Sequence, residues 1–205
     1  EEEDKEDCPI CQDALPKLSY QFVRLTCCGK GLHHKCAKDL DATKCMTLKQ
    51  KNMCIMCRTK PTYKGSKEDI ERIDVWVKKG KAWAMCMLAY RYRQGVGVKQ
   101  SDKKAIELFE MAAKRGNATS QFNLGNFYRE GTYCLPQSSK RAIEYYTLAA
   151  AQGDADAQLN LGNMYAQGIG IDQSYSKARE WLTKAAAQGE ENAIKSLRQL
   201  DKFGL

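Results

Sequence analysis

Residues 157–171 read AQLNLGNMYAQGIGI, and residues 178–189 read AREWLTKAAAQG. The same two phrases, altered but recognisable, occur twice more in the chain. SQFNLGNFYREGTY (120–133) is followed by AIEYYTLAAAQG (142–153), and AMCMLAYRYRQGVGV (84–98) by AIELFEMAAKRG (105–116). Leu88, Leu124, Leu161 and Leu197 mark one phase of this repetition, at intervals of 36, 37 and 36 residues. Gly80, Gly116, Gly153 and Gly189 mark another at the same intervals. A fixed period of this length is the signature of a solenoid, in which each unit buries its apolar face against its neighbours.

Within each unit the apolar residues recur at helical spacing. Ala84, Leu88 and Tyr92 form one stripe, and Ala105, Leu108, Phe109, Ala112 and Ala113 form another. The single long interval comes from one extra residue. Gly131 to Ala142 is eleven positions, where Gly95 to Ala105 and Gly168 to Ala178 are ten. Pro136 lies in this stretch, TYCLPQSS, so the extra residue is expected in a connector between two helices. Ala89, Gly125 and Gly162 are small enough to let paired helices approach closely, and Gly116, Gly153 and Gly189 suit the left-handed conformation that ends a helix.

These features resemble Sel-one-like repeats, relatives of the tetratricopeptide helix pair, with the pattern A-x3-L-G-x2-Y-x2-G-x-G followed by K-A-x2-W and A-A-x2-G. The resemblance covers Ala82 to Leu205 and is fullest in the third copy, including Trp181. The second copy lacks the second loop glycine and carries Tyr145 where the Trp falls. The expected domain spans residues 63–205, with repeats at about 82–117, 118–154 and 155–190 and partial helices at 67–79 and 191–203. Such an array binds peptides or other proteins on an extended surface. Arg91, Asn123, Asn126, Arg129, Asn160 and Asn163 are the candidate exposed positions on the first helices. The recurring aromatics are expected in the core, Cys86 as a core thiol and Cys134 as a loop thiol.

The chain before the repeats has a different composition. Eight of ten cysteines fall between Cys8 and Cys57. Cys8-Pro9-Ile10-Cys11 and Cys54-Ile55-Met56-Cys57 are both C-x2-C, a spacing that aims two thiolates at one tetrahedral ion. Between them lies CCGKGLHHKC (27–36), which adds Cys27, Cys28 and the pair His33-x2-Cys36. A segment this short has little core of its own, and metal coordination would supply the missing folding energy.

The order of these pairs resembles a RING-type finger over about Asp7 to Pro61, a small zinc-stabilised α+β cross-brace spanning residues 1–62. The resemblance implies two Zn²⁺ ions. Cys8, Cys11, His33 and Cys36 would hold one, and Cys28, Cys54 and Cys57 the other. The family's histidine two residues after the third ligand is Lys30 here, a protonated side chain and a poor ligand. Cys27 is the expected eighth ligand, with Cys45 and His34 as rivals. Ile55 stands where the family commonly has proline, and the segment from Ala37 to Met53 contains no aromatic residue.

With all ligand positions filled by protein, neither zinc is expected to be catalytic. No H-E-x-x-H, G-x-S-x-G or phosphate-cradling glycine loop occurs. RING-type fingers in ubiquitin ligases instead dock a ubiquitin-conjugating enzyme and hold its thioester in a reactive pose. The resemblance places that contact on Ile10, Ile55, Met56 and Arg58, the last directly after the final cysteine. The chain is thus read as a RING-type ubiquitin ligase with a partner-binding repeat domain. The alternative is a non-catalytic protein–protein interaction adaptor with a structural finger.

Charge adds little. The formal net charge of +8 falls to roughly +5 once two zinc ions and seven bound thiolates are counted. Lysines 99, 103, 104, 114 and 140 fall on polar helix positions, with no basic stripe interleaved with aromatics, so nucleic acid is not the expected partner. The opening EEEDKED is unlike a secretory leader, and no apolar run reaches membrane-spanning length. Clustered cysteine with histidine favours zinc over disulfides and an intracellular setting, cytoplasmic or nuclear.

Overall fold

The structure, a computed structural model, describes the backbone of two short strands and residues 65–202. Strands β1 (Phe22–Arg24) and β2 (Gly31–His33) pair antiparallel in the register Phe22↔His33, Val23↔Leu32 and Arg24↔Gly31. Eight α-helices follow: α1 (Lys67–Lys78), α2 (Ala82–Gln94), α3 (Asp102–Lys114), α4 (Ala118–Glu130), α5 (Ser139–Ala151), α6 (Ala155–Gln167), α7 (Tyr175–Ala187) and α8 (Glu191–Lys202). The chain divides into two compact units, Glu1–Ser101 and Asp102–Leu205.

The helix ends follow from local chemistry. In the second unit the first helix of a repeat is capped by an amide or carboxylate. Asn117 accepts from the Ser120 N–H at 2.8 Å, and Asp154 from the Ala157 N–H at 2.9 Å. The second helices α5 and α7 are capped by Ser138 and Ser174. The first helices end on left-handed glycines, Gly131 (φ 67°) and Gly168 (φ 68°), where a side chain would be strained.

Each connection then folds back in one way. The N–H of Ser101, Ser138 and Ser174 donates to the carbonyl of Tyr92, Tyr128 and Tyr165 at 3.0, 2.7 and 2.9 Å. That closure survives the extra residue after α4, because Tyr133 and Cys134 both adopt positive φ (55° and 63°) and take up the slack. The insertion therefore lies between helices, as the intact 13-residue length of α4 and α5 requires.

Packing in the second unit seats a large side chain on a small one. A Cβ on Gly125 would lie 2.6 Å from ring atoms of Tyr146, and one on Gly162 would lie 2.7 Å from Leu182 Cγ. Tyr146, Leu161 and Leu182 are almost wholly buried, together with Ala142, Ala149, Ala157, Ala178 and Ala185. Burial of such side chains contributes about 1.5–3 kcal/mol each for the larger ones.

In the first unit α1 packs on α2 around Ile73, Ala84, Met85, Leu88 and Ala89, all buried. Cys86 is buried and Cys134 exposed. Among the described residues no helix is long and apolar enough to cross a membrane.

Candidate partner-binding face of the helical repeats

Of the six polar residues expected on an exposed face of the first helices, the structure buries two and ties most of the others into the fold. Arg91 is only 7% exposed. Its Nη2 donates to Asp69 Oδ2 at 2.8 Å, and the Gly65 N–H donates to the same oxygen at 2.9 Å. Asn123 is also buried, and its Nδ2 donates to the Thr119 carbonyl one turn back at 2.6 Å. The expectation of exposure fails for both.

Asn126 and Asn160 serve a buried phenol. The Tyr146 hydroxyl donates to Asn126 Oδ1 at 2.7 Å and is hydrogen-bonded by the Asn160 side chain. Burial pushes this phenol up to about 12. In the two flanking copies Phe109 and Leu182 fill the same phase, so only the second repeat brings a hydroxyl there and needs these amides. Arg129 pairs with its neighbour Glu130 at 2.8 Å, and Asn163 is half-buried on α6. The polar outer row that remains on α4 and α6 includes Thr119, Arg129, Asp156 and Asn163. Burial raises the Asp156 carboxyl above its usual range, and the charge of Glu190 adds to the effect.

The outer faces of the second helices bear cations over aromatic rings. Arg141 sits 5.6 Å from the Tyr128 ring, which stacks on Tyr145 at 5.7 Å and 9°. Lys177 lies 5.3 Å from Tyr165, and Lys184 lies 4.2 Å from Trp181. Lys99, Lys103, Lys104, Lys114 and Lys140 are exposed.

Sequence reasoning missed an amide ladder joining the repeats. Gln121 Nε2 donates to the Ala113 carbonyl at 3.1 Å while its Oε1 accepts from Gln152 Nε2 at 2.6 Å. One repeat later Gln158 Nε2 donates to the Ala150 carbonyl at 3.1 Å and its Oε1 accepts from Gln188 Nε2 at 2.9 Å. Gln121 and Gln158 are 4% exposed, so these bonds satisfy otherwise buried groups. The signal was present as glutamines recurring in phase, 121 with 158 and 152 with 188.

Zinc ligands expected at Cys8, Cys11, Cys27, Cys28, Cys36, Cys54 and Cys57 lie outside the described residues, as do Ile10, Ile55, Met56 and Arg58. His33 is described only through its backbone, at the end of β2. Among the described residues no cluster of His, Cys, Asp and Glu could hold a metal ion.

The Sel1 repeat family matches residues 84–117, 118–154 and 155–190, just over half of the chain. The chain belongs to the Sel1 repeat family. Solved Sel1 folds are similar over the same part. A Sel1 repeat protein from Oxalobacter formigenes is 33% identical with a TM-score of 0.60, over 65% of this chain and 54% of that one. The protective antigen c5321 of uropathogenic Escherichia coli strains, which displays an SLR fold, is 27% identical with a TM-score of 0.61, over 65% of this chain and 28% of the antigen. The Helicobacter pylori cysteine rich protein B shares the fold at 23% identity and a TM-score of 0.50, over 63% of this chain and 95% of its own. This Sel1 repeat chain thus spans about half the length of the first relative and just over a quarter of the second. No curated protein matches it.

Proposed function

We propose that this Sel1 repeat protein is an interaction adaptor. Its repeats hold a protein partner, and residues 1–62 form a RING-like double-zinc module that engages a second protein. Sel1 repeats mediate protein–protein interactions, and the observation that carries the reading is how the repeats vary. Their buried phases and caps recur from unit to unit, while the outer row of the first helices changes from Thr119 and Arg129 to Asp156 and Ala166. Variation along the surface row of a repeated scaffold fits recognition of an extended partner.

The β1–β2 pairing supports the zinc module. Cys27 and Cys28 fall in the connection between the strands, and His33 lies at the far end of β2, opposite Phe22. Cys8, Cys11, His33 and Cys36 would hold one zinc, and Cys27, Cys28, Cys54 and Cys57 the other, with Cys45 and His34 as rivals of Cys27. The bound ions would supply folding energy, with every coordination position taken by protein. A cytoplasmic or nuclear setting follows from this chemistry.

A second reading, a RING-type ubiquitin ligase, is favoured by Arg58 directly after the last cysteine and by Ile10 between the first two. Ile10, Ile55, Met56 and Arg58 would position a ubiquitin-conjugating enzyme, with no covalent intermediate on this chain.

Autoubiquitination with activating enzyme and a panel of conjugating enzymes, run with zinc quantified, separates the two. Ubiquitin chains that form with the parent and vanish in Ile10→Ala and Arg58→Ala, both with two zinc ions, establish the ligase. Silence across the panel from zinc-loaded protein establishes the adaptor, and absence of zinc removes the finger from both. The partner surface is tested by Thr119→Arg with Asn163→Arg, which should abolish co-purification of partners at unchanged thermal stability.

A further inference from the structure

The chain enters α1 through a contact of backbone on backbone. Gly65, at φ 82°, lies against Val96 and Gly97 of the loop that follows α2. A Cβ on Gly97 would overlap the Gly65 carbonyl, and one on Gly65 would overlap the Val96 side chain, so the approach needs glycine at both places. The third repeat's loop leans the same way, with Gly170 against Ser139, the first residue of α5. By the repeat period Ser139 corresponds to Ser66. The first copy therefore seats its loop one residue earlier, on chain that lies ahead of the α1 cap.

Helix α1 grips the same residue. Ser66 caps the helix by accepting from the Asp69 N–H at 3.1 Å. Asp69 Oδ2 in turn accepts from the Gly65 N–H at 2.9 Å and from Arg91 Nη2 of α2 at 2.8 Å. The side chains of Asp69 and Arg91 are almost wholly buried, so a lost hydrogen bond there is not made good by water. One carboxylate thus ties Gly65 to both helices.

We infer that Gly65, Asp69, Arg91 and Gly97 form a clasp that fixes the point from which the amino-terminal segment is tethered to the repeats. Seven residues, Arg58 to Lys64, join Cys57 to this point, and they reach at most about 25 Å. On the adaptor reading, which the clasp itself does not need, so short a leash presents the two bound partners to each other at an effective concentration on the order of millimolar.

Amide hydrogen exchange on the full chain, read by NMR, tests the clasp. In the parent the Gly65 amide should exchange at least about tenfold more slowly than an unstructured glycine. The double variant Asp69→Ala with Arg91→Met substitutes the apolar residues found at these phases in later repeats, Ala142 and Met164. It removes the acceptor, and Gly65 should lose its protection while Ile73 and Leu88 keep theirs. Gly97→Ala leaves the carboxylate and the guanidinium in place and should free Gly65 equally, by pushing its carbonyl off the loop.

An unprotected Gly65 in the parent overturns the clasp, as does a Gly65 that stays protected in either variant. Loss of protection at Ile73 together with Gly65 in both variants would make the junction no more than the end of the α1–α2 core, and the inference fails. The adaptor reading stands or falls separately, on the ubiquitination and co-purification assays.

Discussion

The α1–α2 pair and the repeats from α3 to α7 solve the same packing problem with different chemistry. Counting by the repeat period, Asp69 of α1 occupies the phase of Ala105, Ala142 and Ala178, and Arg91 of α2 that of Phe127 and Met164. In the second unit these phases are apolar and buried. In the first, a carboxylate and a guanidinium meet at 2.8 Å with side chains only 5% and 9% exposed. An apolar contact tolerates loss of a few atoms. A buried charge pair fixes one arrangement, and losing either member strands the other.

The comparison is tested most severely by Arg91→Met, which gives α2 the residue of the third repeat. It should destabilise by about 3 kcal/mol or more, because Asp69 is left charged and buried. The double variant Asp69→Ala with Arg91→Met copies Ala142 and Met164, and should recover the parent's urea midpoint or exceed it. A double variant as unstable as the single one would refute the equivalence of the two interfaces.

Smaller losses are expected from Gly125→Ala and Gly162→Ala, roughly 1–3 kcal/mol by overpacking. Gly125→Ala should cost more, since its Cβ meets the ring of Tyr146, which is anchored through its hydroxyl, while Leu182 can turn away from residue 162. Equal shifts in the urea midpoint would argue against that anchoring.

The smallest effect at neutral pH belongs to Asp154→Asn, because asparagine caps a helix about as well as aspartate; the change should lie within about 1 kcal/mol. Its signature is in pH. Burial raises the Asp154 carboxyl from 3.8 to about 6, against the opposing pull of the Ala157 N–H. The folded chain therefore binds a proton that the unfolded chain releases, and this contribution to stability is present below about pH 4 and lost as the pH rises to about 6. The variant should lack that decline, and thermal melts at pH 4, 5, 6 and 7 would show it.

The repeat was legible because its period rests on residues that packing makes indispensable: Leu124 and Leu161 in the core, Gly125 and Gly162 under a large side chain, Gly131 and Gly168 at helix ends. Polar residues were harder to place. Helical periodicity separates apolar from polar but cannot say which polar groups a core demands. Arg91 read as exposed although its phase is that of Phe127 and Met164, and only the matching anomaly at Asp69 could have revealed the pair. Asn126 and Asn160 were likewise explained by a residue on another helix, the hydroxyl of Tyr146. The expected zinc ligands rest on spacing alone, since only the β1–β2 pairing within their segment is described.

The glutamine ladder has a consequence for how such an array could be rearranged. Gln158 donates to the unit before it and accepts from Gln188 at the end of its own unit, so each such unit carries one pair of amides that ties it back to its predecessor. The first copy has Met85 and Arg115 in the places of Gln158 and Gln188, and cannot stand in for the third. The modules look interchangeable and are not. Shuffling or duplicating them would succeed only where each new junction inherits its own pair of amides.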